Sequence, residues 1–186
     1  MIYLVDMEHP GLVVFPTHRL VRDLPNFDKE AVLEKCSEFF YIDEKEGTDT
    51  MEEDLKKLYD EGKKAFGFYC GKGEWFLLTL KNIDIMSQML PNVSKASQSL
   101  DVSVLHTLIL EKIFGIDKEN MAKQINLTYT KFFTEAIDGV DKGEFQCSFV
   151  LNPTRVTDAG EKMPQKSTYF YPKMITGMVM NNLGVD

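Results

Sequence analysis

The chain has 186 residues, a formal net charge of −8 and a pI near 5.0. This acidic balance argues against general binding to nucleic acid, which needs a dense basic surface. No apolar run approaches the roughly 18 residues of a membrane span, and Asp6, Glu8 and Pro10 interrupt the N-terminal apolar stretch, which excludes a signal peptide. We therefore expect no nucleic acid and no membrane among the partners, and a cytoplasmic location.

The first half of the chain predicts strands, hairpin turns and two helices. Helices are predicted at residues 28–39, with Asp28 as the cap, and at residues 51–63. The acidic stretch between them, residues 41–50, favours a loop or a strand end. Strands are predicted at residues 2–7, 12–15, 65–69 and 75–80. The turn at residues 70–74 is predicted to be a hairpin, because its glycine spacing differs from that of a phosphate loop.

The second half predicts more helix. Residues 82–100 are rich in Met and then in Ser, which favours a mobile loop or linker. Asp101 is the predicted cap of the strongest helix, residues 102–114, which ends at Gly115. Short helices are predicted at residues 117–124 and 132–140, and strands at residues 125–129, 145–151 and 174–181.

Strands and helices follow one another without a repeated βαβ unit or an internal repeat. The pattern favours an α+β fold in which several helices pack on a largely antiparallel mixed sheet. We expect residues 1–186 to form one domain. Because a predicted core strand begins almost at residue 1, we also expect this domain to be the C-terminal part of a longer protein.

The three cysteines, Cys36, Cys70 and Cys147, are far apart in sequence and form no C-x-x-C pair. This spacing suggests neither a zinc site nor a disulfide framework, and reduced thiols are the simplest interpretation. No acidic pair stands out as a magnesium site. We therefore name no metal ligand and no cofactor within this chain.

The segment Met163-Pro-Gln-Lys-Ser-Thr-Tyr-Phe-Tyr-Pro-Lys173 brings hydroxyl and ammonium groups together in a part of the chain without carboxylates. Residues 162–185 contain no Asp or Glu. In an extended strand alternate side chains share a face, and hydroxyls beside ammonium groups suit an anion such as phosphate or carboxylate. An aromatic-rich strand with solvated lysines is the alternative. The candidate ligands for the anion are Lys166, Ser167, Thr168 and Lys173.

His18 and Arg19 follow the predicted strand at residues 12–15. Histidine can carry a proton near neutral pH, and arginine can hold phosphate through two parallel hydrogen bonds. We therefore name His18 as the candidate catalytic residue and Arg19 as a candidate phosphate ligand. The alternative is a surface histidine beside a solvated arginine. His106 borders the apolar stripe of its helix and is predicted to be a packed or half-exposed residue rather than a ligand.

These motifs together resemble a known family. Besides the segment at residues 163–173, the resemblance includes residues 15–20, 100–105, 152–154 and 158–161. On these residues the sequence resembles the C-terminal half of the bacterial and archaeal family catalogued as domain of unknown function 1015. Members of that family are longer, and their N-terminal half carries an Asp-Gly-His-His-Arg motif that resembles ParB-like nucleotide-binding domains. This chain lacks that motif.

The resemblance implies small-molecule phosphoryl transfer, since the ParB-like superfamily includes kinases that phosphorylate free serine. The chain would be the substrate-side domain of such a kinase and inactive alone. Its partners would be the N-terminal half of the same polypeptide and a small anionic metabolite, with ATP or ADP and Mg used by the full-length protein. The motif lysines and Arg19 would contact phosphate or carboxylate, Ser167 and Thr168 would donate hydrogen bonds, and His18 would help to orient the acceptor. The alternative is a non-catalytic domain that binds a partner or a metabolite.

Overall fold

A computed structural model describes residues 13–154 and 169–171. The strands within these ranges are β1 Val13–Phe15, β2 His18–Val21, β3 Phe40–Glu46, β4 Ala65–Gly71, β5 Glu74–Leu80, β6 Leu127–Thr130, β7 Cys147–Val150 and β8 Tyr169–Tyr171. Six of them form one antiparallel sheet in the order β3-β5-β4-β7-β2-β6, and β1 pairs with β8 in a separate ladder. The predicted α+β class with an antiparallel sheet is confirmed.

The described helices lie between the strands along the chain. They are α1 Lys29–Cys36, α2 Met51–Asp60, α3 Ile85–Met89, α4 Lys95–Gln98, α5 Asp101–Val104, α6 Lys118–Lys123 and α7 Phe133–Asp141. A π-helical segment, Leu105–Glu111, continues α5. No helix among the described residues is long and apolar enough to cross a membrane.

Both faces of the six-stranded sheet are covered, and the alternation of side chains along each strand divides the core in two. In β4, Phe66 and Phe68 face a cluster that includes residues of α1, α5 and the π-helical segment. Ala65 and Tyr69 face the opposite cluster, which includes residues of α2 and α7. Strands buried on both faces carry apolar residues at successive positions, and burial of that surface is the main favourable term in folding.

The structure confirms two local predictions, the cap of α1 and the hairpin turn between β4 and β5. The carboxylate of Asp28 accepts a hydrogen bond from the amide of Glu30 at 2.9 Å, so it caps α1 as expected. The turn between β4 and β5 is a two-residue hairpin loop, with φ of 56° at Lys72 and 78° at Gly73. Positive φ at both positions matches the twist of the flanking strands, and glycine adopts it at little cost.

Other predictions needed correction. Residues 40–46 form a complete strand rather than a loop or a strand end, because β3 lies at the edge of the sheet, where alternate residues face solvent and can be polar. The stretch 82–100 contains the short helices α3 and α4, and the side chain of Gln98 donates to the carbonyls of Leu90 at 2.7 Å and Val93 at 2.9 Å. The mobility of this stretch stays a prediction.

Asp101 does not cap its helix. The N-cap position belongs to Leu100, and the Asp101 carboxylate instead pairs with the Lys64 ammonium at 2.9 Å. The pair joins the start of β4 to α5 and connects two layers of the fold. The predicted strands at residues 2–7 and 174–181 lie outside the described residues, as does most of the segment at residues 163–173.

We predict that Asp101→Asn lowers the free energy of unfolding by about 2 kcal/mol, because it leaves the half-buried Lys64 ammonium without this carboxylate. The side chains of Lys64 and Asp101 are 23% and 10% exposed. Urea unfolding followed by circular dichroism measures the change. Glu119→Gln is the matched control, because the Lys123–Glu119 pair is 62% and 73% exposed and such pairs contribute less than about 0.5 kcal/mol. Equal effects of the two substitutions would refute this role for Asp101.

Candidate functional site

The ladder between β1 and β8 brings the C-terminal segment beside the N-terminal strand. Val13 lies opposite Tyr171, Val14 opposite Phe170 and Phe15 opposite Tyr169, in antiparallel register. The chain runs from Phe15 through Pro16 and Thr17 into β2. The backbone of Tyr169–Tyr171 therefore lies next to the strand that leads into His18 and Arg19.

His18 is the first residue of β2 and is 1% exposed. Its Nδ1 accepts a hydrogen bond from the backbone amide of Leu151 at 3.2 Å. Since Nδ1 accepts, the neutral ring carries its proton on Nε2. Among the residues that the structure describes, Nε2 has no hydrogen-bond partner. Burial and, to a smaller extent, the charge of Arg19 together lower the pKa of His18 to about 4, so the ring is neutral at pH 7.

Arg19 is completely buried. Its Nη1 donates to the carbonyl of Thr17, and its Nη2 lies 3.1 Å from Nε2 of His106. The guanidinium carbon lies 5.1 Å from the ring centroid of Tyr129. A guanidinium has only donors, so Nε2 of His106 must accept and Nδ1 carries the proton of the neutral ring. Arg19 is therefore held by a carbonyl, an imidazole and an aromatic face.

His18 and Arg19 point to opposite faces of the sheet, because neighbouring residues of a strand alternate. Arg19 points toward the π-helical segment that carries His106. Leu20 shares the face of His18, and its side chain packs against α7: a Cβ added to Gly139 would lie 3.2 Å from Leu20 Cδ2. The alternative of a surface histidine beside a solvated arginine is wrong, since both side chains are buried inside the sheet.

His106 and Tyr129 are partners of Arg19 that the sequence did not identify. His106 is half-buried, as expected for a packed or half-exposed helix residue. Burial and, to a smaller extent, the charge of Arg19 together lower its pKa to about 3. It lies in the π-helical segment, and such segments are frequent at functional sites. Tyr129 lies opposite Arg19 in the register of β2 and β6. Neither the π-helical turn nor this register is visible in the apolar periodicity.

The remaining candidates, Lys166, Ser167, Thr168 and Lys173, lie outside the described residues. Their roles stay predictions. The structure describes only Tyr169–Tyr171 of that segment, by its backbone pairing with β1. Arg19 is completely buried. An anion could therefore contact its guanidinium only by entering the covered face of the sheet.

A surface cleft of about 290 Å³ lies between β6 and α7, and its walls include Leu20, Tyr129 and Thr130. Its charged lining residues are mostly acidic and comprise Glu135, Asp138, Lys142 and Glu144. An excess of carboxylates repels an anion. The cleft beside β6 is therefore unsuited to phosphate, although it borders the residues named above.

The described residues contain no group of three or more His, Cys, Asp or Glu side chains that could hold a metal ion. Cys36 and Cys147 are buried, Cys70 is half-buried and all three are free thiols. Burial raises the pKa of Cys36 and that of Cys70 to about 12. The thiolate is the nucleophile, so these thiols are poorly suited to nucleophilic chemistry at neutral pH.

We predict that the chain loses stability on acidification because of the buried His18 and the half-buried His106. Their folded-state pKa values of about 4 and about 3 lie below the ordinary value of 6.5. The unfolded chain therefore binds more protons as the pH falls below 6.5, and the loss is complete once the pH passes the folded-state values. At pH 5 it amounts to about 2 kcal/mol for each histidine.

His106→Gln tests this assignment, because an amide oxygen can still accept from Arg19 but does not titrate. The variant should lose about 2 kcal/mol less than wild type between pH 7 and pH 5, measured by urea unfolding. Lys123→Gln, at an exposed helix position, is the control and should follow wild type. An unchanged pH dependence in His106→Gln would contradict the assignment.

Solved structures similar to this chain include a conserved hypothetical protein from Pyrococcus furiosus, with a TM-score of 0.48 and 20% sequence identity over 89% of this chain and 59% of that chain. A mutant free serine kinase, solved in complexes with AMP and with ADP, matches with a TM-score of 0.45 and 14% identity over 89% of this chain and 56% of that one. The chain thus spans less than two thirds of the length of these structures. No curated protein sequence matches the chain.

The family described as "Protein of unknown function (DUF1015)" matches residues 1–103. The match includes the β1–β2 region with His18 and Arg19, and it ends before β6 and the segment at residues 163–173. Membership of that segment in the family, and the ParB-like character of an N-terminal half, stay predictions. Because the match covers more than half of its residues, the chain belongs to the DUF1015 family of proteins of unknown function.

Proposed function

We propose that this chain is the substrate-side domain of a longer protein that transfers a phosphoryl group from ATP or ADP to a small hydroxylated metabolite such as free serine. In this proposal the chain is inactive by itself, and the nucleotide, Mg and acid–base groups belong to an N-terminal half of the same polypeptide. The small molecule binds where the segment at residues 163–173 meets the turn that leads into β2.

The observation that carries the proposal is the ladder between β1 and β8. It pairs Phe15 with Tyr169, so the backbone that follows Lys166, Ser167 and Thr168 is hydrogen-bonded to the strand that precedes Thr17. Tyr169–Tyr171 and Val13–Phe15 are therefore neighbours along their backbones, which supports the proposal because each adjoins a stretch with candidate ligands. This neighbourhood is the first requirement for a shared anion site.

The chemistry of the buried residues is compatible with phosphoryl transfer, which depends mostly on positioning and charge stabilisation. A neutral His18 with its proton on Nε2 can donate one hydrogen bond, and Leu151 fixes the orientation of its ring at Nδ1. This suits a group that orients an acceptor better than a strong base. Arg19 keeps a positive charge inside the sheet, and charges interact more strongly in a low-dielectric interior than in water.

A second candidate function is a non-catalytic domain that binds a metabolite or a partner. One observation favours it: His18 and Arg19 point to opposite, covered faces of the sheet, and Arg19 is already held by Thr17, His106 and Tyr129. In that case the pair stabilises the fold. Turnover by the full-length protein distinguishes the two candidates.

The test is an assay of the full-length protein for phosphoserine formed from serine with ATP or ADP and Mg. We predict that the full-length protein turns over and that residues 1–186 alone do not. In the full-length protein, Lys166→Ala should lower kcat/KM by about tenfold or more. Lys123→Ala, which removes an exposed lysine of α6, is the control and should retain kcat/KM within about twofold.

Three outcomes would count against the proposal. Wild-type turnover with an unaffected Lys166→Ala variant would remove this domain from catalysis. Turnover by residues 1–186 alone would show that the assignment of catalytic groups to another half is wrong. Metabolite binding without any turnover would favour the second candidate.

A further inference from the structure

We propose that the outer edge of β3 binds an extended, basic segment of a partner protein, which adds to the six-stranded sheet as a further strand. β3 stands first in the strand order, and among the described residues it pairs only with β5. It has seven residues, as many as β4 and β5 inside the sheet. Natural edge strands are usually short or covered, because their unpaired backbone groups can pair with another chain. A long edge of this kind is a template for a partner strand, whatever reaction the protein catalyses.

The backbone groups that point away from β5 belong to alternate residues of β3. At one end of the ladder the Gly47 amide donates to the carbonyl of Gly73 at 2.8 Å. At the other end the Lys81 amide donates to the carbonyl of Phe39 at 2.9 Å. The register is unbroken between these points, and hydrogen-bonded pairs of an antiparallel ladder occur at every second residue. The odd-numbered residues of β3 therefore face β5, and the amides and carbonyls of the even-numbered residues face outward: Phe40, Ile42, Glu44 and Glu46.

The side chains along this edge are mostly acidic. Asp43, Glu44 and Glu46 are exposed. Lys45 is the single basic residue of β3, and its Nζ lies 3.5 Å from the carboxylate of Asp54 in α2. The positive charge of the strand is thus balanced by another element of the fold. The edge therefore presents an excess of negative charge, which attracts a cationic strand and repels an anionic one.

A second copy of the chain suits this edge less well than a basic partner. The antiparallel register that pairs all seven residues of two copies places Asp43 opposite Asp43, because that residue is the midpoint of β3. Since the backbone of Asp43 faces β5, the two copies would form a non-hydrogen-bonded pair there, in which opposite side chains are closest. Like charges directly opposite each other destabilise a sheet. A lysine or arginine opposite Asp43 turns this repulsion into attraction.

The other end of the edge is apolar, which gives the partner strand a direction. Phe40 is buried and Ile42 packs against the core cluster on the α1 side of the sheet, while Tyr41 is 62% exposed. Apolar and β-branched side chains pack well beside such positions. An antiparallel partner would therefore begin with basic residues, opposite Glu46 to Asp43, and continue with apolar ones, opposite Ile42 to Phe40.

Fluorescence anisotropy of the 186-residue chain with the labelled peptide acetyl-Lys-Thr-Lys-Arg-Val-Thr-Val-amide tests the proposal. Opposite Glu46 to Phe40, its second lysine and first valine direct their amides at β3. We expect N-methylation of these two residues to raise the Kd by about tenfold or more, because two hydrogen bonds are lost. N-methylation of the arginine and the second threonine, whose amides face away, is the matched control and should leave the Kd within about threefold.

Glu44→Pro tests the same contact from the side of the protein. It removes one outward amide of β3 and none of the bonds to β5, and proline is tolerated at such edge positions. The variant should have a Kd about tenfold or more above that of Glu44→Gln, which makes the same change in charge and keeps the amide. A peptide with glutamate in place of the lysines and the arginine should bind at least about tenfold more weakly than the basic peptide.

Four outcomes would overturn the proposal. Equal Kd values for the two N-methylated peptides would show that charge alone holds the peptide, and equal binding of the acidic peptide would show that charge plays no part. Dimerisation in sedimentation velocity that Glu44→Pro abolishes would assign the edge to a second copy. Absence of binding between the wild-type chain and the basic peptide would refute the docking edge itself. The N-methylated peptides are compared on the wild-type chain, so the test does not depend on the folding of Glu44→Pro.

Discussion

Three backbone pairs between β1 and β8 are the constraint on which the functional interpretation depends. They join Tyr169–Tyr171 to the strand that leads into His18. Ladder pairing fixes relative position residue by residue, because a shift of one residue would move each side chain to the other face. The proposed anion site depends on this register.

The alternation of side chains along β2 imposes a second constraint. His18 and Arg19 are neighbours in sequence, yet their side chains enter different layers of the protein, so one ligand cannot easily contact both. The ring of His18 is neutral and fixed by Leu151, whereas Arg19 is held by groups on the opposite face. A phosphate near the start of β2 would thus experience the charge of Arg19 more readily than it would touch the guanidinium. Exposed cations are better suited to direct contact.

The sequence predicted those features whose cause is local. The cap at Asp28, the amphipathic α2 and the hairpin turn at Lys72 and Gly73 each depend on residues within one turn or one loop. The sheet class also followed from the pattern of short strands and helices. Strand β2 was missed because Thr17, His18 and Arg19 are polar, and consecutive polar residues in a sequence are typical of a loop. In the structure all three are buried.

The features that sequence reasoning missed depend on contacts between distant residues. Asp101 is the first residue of α5 rather than its N-cap, and its carboxylate forms an ion pair with Lys64, a residue 37 positions earlier in the chain. The position of Tyr129 opposite Arg19 exists only once β2 and β6 have paired, and the π-helical segment Leu105–Glu111 is not visible in the apolar periodicity. Candidate site residues could therefore be proposed one by one from the sequence, but their grouping required the register of the strands.

The central claim is that the segment at residues 163–173 and the turn before β2 form one anion-binding site. A crystal structure of the chain with O-phosphoserine tests it most directly. The account predicts the phosphate group within hydrogen-bonding distance of the Lys166 ammonium and beside the Phe15–Tyr169 pair. A phosphate bound elsewhere on the protein, with the Lys166 ammonium in solvent, would contradict the account.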